Sequence, residues 1–202
     1  ETIITVPKGM GVNAIASQLE NQGLISNAIL FRLGVMYYKA EQSLKAGEYA
    51  VPARASMYEI MEILREGKSI LYKLTVPEGL TSAQIMRLVE AHDMLIGEMP
   101  EALPAEGSLL PETYLFQRGM QRTELIAQMG SDAQKIIDEL WDGRAENLPF
   151  DTKEEAINLA SIVEKETAVA EERPRVAAVF VNRLRRGMRL ESDPTIIYGL
   201  TG

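Results

Sequence analysis

The chain has 202 residues, 46% hydrophobic and 25% charged, with a net charge of −8, no cysteine and one histidine. That is enough for one large domain or two smaller ones, with a core that needs neither disulfide nor metal. The counts exclude a thiolate zinc site, a cysteine nucleophile and a multi-histidine metal centre, and a pI near 4.9 argues against a sequence-blind nucleic-acid binder.

The opening "ETIITVPKG" reads as a strand and turn, with no signal peptide and no run approaching the roughly 20 apolar residues of a membrane span. This start suits the trimmed soluble part of something longer. A degenerate repeat then organises the first half: "VPKGMGVNAIASQLENQG" from Val6, "VPARASMYEIMEILREGK" from Val51 and "VPEGLTSAQIMRLVEAHD" from Val76. Each copy has Val-Pro, a small polar turn and a helical stripe, with Ile15 and Leu19, Ile60 and Leu64, and Ile85 and Val89 at matching offsets. Asn13, Ser56 and Ser82 are the expected helix caps. Between the copies lie a helix over "NAILFRLGVMYYKA" and strands over "AGEYAV" and "SILYKLTV".

The stretch "MPEALPAEGSLLPETYLFQRG" reads as a loop with a short strand in "ETYLF". A helix follows over "TELIAQMGSDAQKIIDELWDGRA". The next, in "NLPFDTKEEAINLASIVEKE", opens with Asp151 or Thr152 as cap and Glu154 and Glu155 in its first turn. Another begins near Pro174 and is closed by Gly187, with Arg185 and Arg186 offsetting its C-terminal dipole. His92 sits in "EAHDML", without a nucleophile-elbow context, and no G-x-S-x-G occurs, so a serine hydrolase is disfavoured.

The helix ending in "LASIVEKE" raises a specific question. At about 100° per residue from Ile157, Ile162 falls near 140°, Leu159 near 200°, Glu166 near 180° between them, and Glu164 near 340°. Glu166 therefore projects into the apolar sector if the helix reaches it, where lost hydration disfavours its charged form. A carboxyl group that keeps its proton can protonate a leaving oxygen. If the helix ends at Glu164 instead, Glu166 stands in solvent.

"ASIVEKET", followed by "ERPRVAAVFVNRLRRGMRLESDPTIIYGL", closely resembles the YceG-like endolytic murein transglycosylases, and "VPEGLT" and "LLPETYLF" resemble that family's other motifs. The resemblance implies an α+β chain: a small LysM-like glycan-binding module over 1–70, then a mainly helical catalytic domain with a few short strands over 71–202. It implies cleavage of peptidoglycan between N-acetylmuramic acid and N-acetylglucosamine, the muramyl 6-hydroxyl closing on its own C1 to leave a 1,6-anhydro end. The family's catalytic glutamate maps onto Glu166, which acts without metal or cofactor.

Glu164 is read as a tuning or salt-bridging neighbour. Asn182, Arg183, Asp193, Thr195, Tyr198, Glu112 and Tyr114 are candidate substrate-binding residues, with Tyr114 either stacking on a sugar or half-buried. The expected partners are glycan strands, with cell-wall synthases as a second candidate class and no nucleic acid. The setting is the bacterial envelope, reached through an N-terminal membrane anchor that this sequence does not show; family members also continue beyond "YGLTG". Two other functions are compatible with the residues: a non-catalytic peptidoglycan-binding or scaffolding fragment, and a hydrolase that yields reducing ends.

Overall fold

A computed structural model of the chain describes residues 1–193 and 195. The Val-Pro repeat folds as the spacing predicts. Strands β1 (Thr2–Val6) and β2 (Gly47–Val51) each end on the valine before a proline, and β3 (Tyr72–Thr75) ends one residue earlier. Each strand runs through a turn into a helix: α1 (Val12–Asn21), α3 (Met57–Glu66) and α4 (Ser82–Glu90) respectively. Val6, Val51 and Val76 are buried, as are all six apolar helix residues named from the repeat. Proline cannot donate to a ladder, so it marks the point where each strand leaves its partner.

The third residue after each of these valines has positive φ: Gly9 at 84°, Arg54 at 64° and Gly79 at 74°. Two copies use glycine, for which this backbone region carries no Cβ clash; the middle copy uses an exposed arginine. Arg54→Gly is therefore expected to stabilise the fold by about 0.5–1 kcal/mol, seen as a rise of a few degrees in thermal midpoint.

The remaining elements are α2 (Ala28–Tyr37), β4 (Leu95–Ile96), β5 (Thr113–Phe116), β6 (Met120–Gln121), α5 (Arg122–Asp142), α6 (Lys153–Glu166) and α7 (Arg173–Arg185). Helices with short strands make this an α+β chain. The two-residue strands β4 and β6 escaped the sequence reading because two residues carry no readable alternation. Among the described residues no helix is long and apolar enough to cross a membrane.

The chain divides into two compact units, Glu1–Lys73 with Leu115–Met120, and Leu74–Tyr114 with Gln121 onward. In the first, β1 and β2 pair antiparallel, Thr2 opposite Val51 and Val6 opposite Gly47. Alternation along β1 turns Ile4 and Val6 inward, where they meet Leu19, Phe31, Val35, Tyr49, Ile60 and Leu64. The 115–120 excursion is fixed inside this unit: Gln117 donates to Ser69 Oγ at 2.7 Å, and Arg118 reaches the buried Glu48 at 3.1 Å.

In the second unit, Val76 N donates to the Glu112 carbonyl and the Thr75 and Thr113 hydroxyls lie 3.0 Å apart. The cap of α4 is Thr81, one residue before the serine read from sequence, because Gln84 completes a capping box only with the residue three before it. Ser82 is instead buried, its N–H and hydroxyl donating to the Glu106 carboxylate and the Ala105 carbonyl. Helix α1 is capped by Gly11 without a side-chain bond, which leaves Asn13 inside the first turn. Ser56 caps α3 as read.

Candidate active site

Helix α6 begins at a capping box: Thr152 accepts from Glu155 N while the Glu155 carboxylate accepts from Thr152 N. It ends at Glu166, because Thr167 adopts extended backbone with φ −147°. Its apolar stripe packs Leu159 and Val163 against Phe180, with Ile162, Val176, Ala177 and Leu190 around them. Helix α7 carries Pro174 in its first turn, where a missing N–H costs nothing, and is followed by Gly187 at φ 65°.

Glu166 is thus helical but exposed, and the buried position inferred from the helix wheel is corrected. The wheel direction alone does not decide burial: Leu159 and Val163 are buried, Ile162 is only half-buried, and the helix stops at Glu166. Thr167, which follows in extended backbone, is the residue that is buried there. Its hydroxyl donates to Glu172 at 3.0 Å and accepts from Val169 N, closing the short α6–α7 connection.

The Glu166 carboxylate accepts a hydrogen bond from the Ser192 hydroxyl, and Ser192 is itself buried. Ser192 is held in place from two sides. Thr195 donates to the Ser192 carbonyl through both its N–H, at 3.0 Å, and its hydroxyl, at 2.6 Å. Arg183 donates to the Leu190 carbonyl two residues upstream. Arg183 and Thr195, both candidate sugar contacts in the sequence, are thereby engaged in positioning the serine that meets Glu166. Sequence reasoning missed Ser192, whose only signal was its place in the family-like block "ESDPTIIYGL".

Glu164 pairs with Arg173 at 2.8 Å, tying the last turn of α6 to the first of α7, so the salt-bridging reading of this residue describes the structure. Both side chains are partly covered, about a quarter and a third exposed, which lets the pair count for more than a surface bridge. The "VPEGLT" turn lies against the same end of α6: a Cβ on Gly79 would sit 3.6 Å from Lys165 Nζ and 3.8 Å from Glu164 Cγ. Two motifs distant in sequence therefore meet beside Glu166.

Other candidates fall elsewhere. Asn182 and Asp193 are exposed, and Tyr198 lies outside the described residues. Glu112 is exposed and binds its own chain, accepting from Thr113 N at 2.8 Å. Tyr114 is buried, and its hydroxyl donates to the Leu110 carbonyl at 2.8 Å, so it offers no ring face for stacking. Strand alternation accounts for this: Tyr114 and Phe116 point inward while Thr113 and Leu115 point out. Burial, then the charges of Asp132 and Glu112, push the Tyr114 phenol up to about 12. Arg185 closes the α7 end as read and also donates to the Asn147 carbonyl at 3.0 Å.

Two surface concavities of about 390 and 340 Å³ lie along the first half of α6, near Glu106, Gln134, Ile137 and Ile157. Glu166 is nine residues beyond Ile157, about 13 Å along the helix axis, so neither hollow holds it. Among the described residues no group of three or more His, Asp or Glu side chains could hold a metal ion.

Comparison with known proteins follows the same residues. An endolytic murein transglycosylase of Streptococcus pneumoniae serotype 2 (strain D39) is 29% identical over 96% of this chain, which spans 42% of that protein. One of the same name from Bacillus subtilis (strain 168) is 26% identical, again over 96% of this chain and over 62% of its own length. A crystal structure of a YceG-like protein from Listeria monocytogenes is 27% identical, matching all of this chain and 76% of that one at a TM-score of 0.48. The profile of the YceG-like family matches residues 4–202, block "ASIVEKET" included, and the chain belongs to that family.

Proposed function

We propose that the chain belongs to an endolytic murein transglycosylase, with Glu166 as its single acid/base. The observation that carries this reading is an accessible carboxylate at the end of α6, oriented by a buried serine, in a chain whose curated relatives bear that activity's name. Glu166 donates a proton to the departing glycosidic oxygen as the muramyl C1–O bond breaks. The muramyl 6-hydroxyl then bonds to C1 and gives its proton to the Glu166 carboxylate, restoring the acid. No water is consumed, and one carboxyl group suffices because the substrate brings its own nucleophile.

Exposure of Glu166 moves the drying step from the fold to the substrate. A sugar ring seated across the end of α6 displaces water there. In this reading residues 1–70 serve as a LysM-like glycan-binding module, the partner is the peptidoglycan strand, a synthase is a second partner, and the setting is the bacterial envelope. Asn182 and Asp193, both exposed on or near α7, remain the sugar-contact candidates.

Incubation with purified sacculi tests the proposal. Anhydromuramyl products seen by mass spectrometry support it, ordinary reducing ends assign a hydrolase, and binding without new fragments assigns a non-catalytic wall-binding role. Ser192→Ala is expected to lower kcat about 10-fold, with KM nearly unchanged, because Glu166 loses the donor that fixes its rotamer. Steady-state rates of product release check this; an unchanged kcat removes Ser192 from the mechanism.

A further inference from the structure

Helix α2 is apolar on both sides. Phe31 and Val35 face the core of the first unit, while Ile29, Leu30, Leu33, Met36 and Tyr37 are all at least half exposed, Tyr37 at 80%. At about 100° per residue these five fall within one sector of about 120°, so they form a continuous stripe rather than scattered single residues. Tyr38 and Tyr58 extend it: the Tyr37 and Tyr38 rings meet edge-on at 5.1 Å, and Tyr38 and Tyr58 lie 5.1 Å apart. A soluble surface rarely leaves so much contiguous apolar area uncovered without a use for it.

Charge identifies the occupant. The chain carries 29 acidic residues in 202, yet none falls in the twenty positions from Asn21 to Ala40, which hold Arg32 and Lys39. Both basic side chains are exposed, and Arg32 borders the stripe one helical turn from Met36 and Ile29. An exposed apolar stripe whose own helix carries no carboxylate, with the neighbouring Glu20 and Glu59 carboxylates taken up by the Ala28 and Ser56 N–H groups, and ending in tyrosines, suits a surface that is anionic outside and apolar beneath. Two copies meeting through this stripe would bring like charges together instead. The tyrosine rings are mutually tilted, by 90° and 55°, so they form no flat platform for successive sugars. From this we infer that α2 docks on an anionic lipid bilayer, its stripe entering the headgroup boundary with Arg32 and Lys39 meeting the phosphates. The inference is independent of the transglycosylase reading.

The test uses the whole chain with Trp141→Phe and Tyr37→Trp, so that a single indole reports on the stripe. Vesicles containing phosphatidylglycerol should shift its emission to the blue, with quenching by brominated acyl chains, and phosphatidylcholine vesicles should do so much less. Leu33→Asp should weaken partitioning at least 10-fold at unchanged circular dichroism. If that variant unfolds, the doubly reversed Arg32→Glu, Lys39→Glu chain should show the same loss. The proposal is overturned by absent partitioning, by partitioning that neither variant weakens, by a dimer in sedimentation that Leu33→Asp splits, or by a blue shift given by soluble glycan fragments and not by vesicles.

Discussion

Glu166→Gln is expected to lower release of anhydromuramyl fragments from sacculi by about 10³-fold or more, at unchanged stability. Glutamine keeps the shape of the side chain and an oxygen that can still accept from the Ser192 hydroxyl, so the local contact survives. Because Glu166 is exposed, no buried charge is created or removed, and the thermal midpoint should move by no more than a surface substitution moves it. What disappears is the proton.

Glu164→Gln supplies the contrast. Its partner Arg173 keeps a neutral acceptor in place of a carboxylate, which loosens the α6–α7 junction but takes no ionisable group from the reaction. That variant should keep at least about a tenth of the wild-type rate. Product formation lost on changing Glu164 and kept on changing Glu166 would reassign the acid. Should both variants act like wild type, neither glutamate carries the chemistry.

What could be read from the chain follows from how far each cause acts along it. The Val-Pro turns, the helix stripes of the repeat and the cap at Ser56 are set within a few residues and have the predicted form, and of the two caps offered for α6 it is Thr152 that is used. Cap position slipped by one residue at Thr81, where two neighbouring hydroxyls competed for the role. The exposure of Glu166 was not legible, since the helix wheel gives a direction and not which neighbour covers it; that is decided by α7 and Thr167. Ser192 lies 26 residues from Glu166, and no local pattern joins them. Nor does spacing foretell that Arg118, 70 residues after Glu48, returns to that carboxylate.

The Glu48 cluster yields the second large effect, on stability. Glu48 is buried on β2, where a carboxylate is tolerated only if its oxygens are satisfied. The Tyr72 hydroxyl donates to one oxygen, and Arg118 Nε lies 3.1 and 3.2 Å from the two. Arg118 also covers the Tyr72 ring at 5.4 Å. The hydrogen bond from Tyr72 holds the Glu48 carboxyl below its ordinary value against the opposing effect of burial, with Arg118 and Thr5 adding to the lowering. Because the folded carboxyl binds its proton less readily than the unfolded one, its contribution is fully present above the ordinary carboxylate range near 4.5 and is lost as pH falls through the lowered folded value. Glu48→Gln should therefore destabilise the protein by about 2–3 kcal/mol at pH 7, leaving a buried amide beside an Arg118 that has lost its counter-charge. The gap between wild type and variant should narrow as the pH drops below 4. Urea denaturation of both proteins from pH 7 to pH 3 measures this directly. A gap that stayed constant across that range would show that packing around position 48, rather than the ionised carboxylate, holds the 115–120 excursion in place.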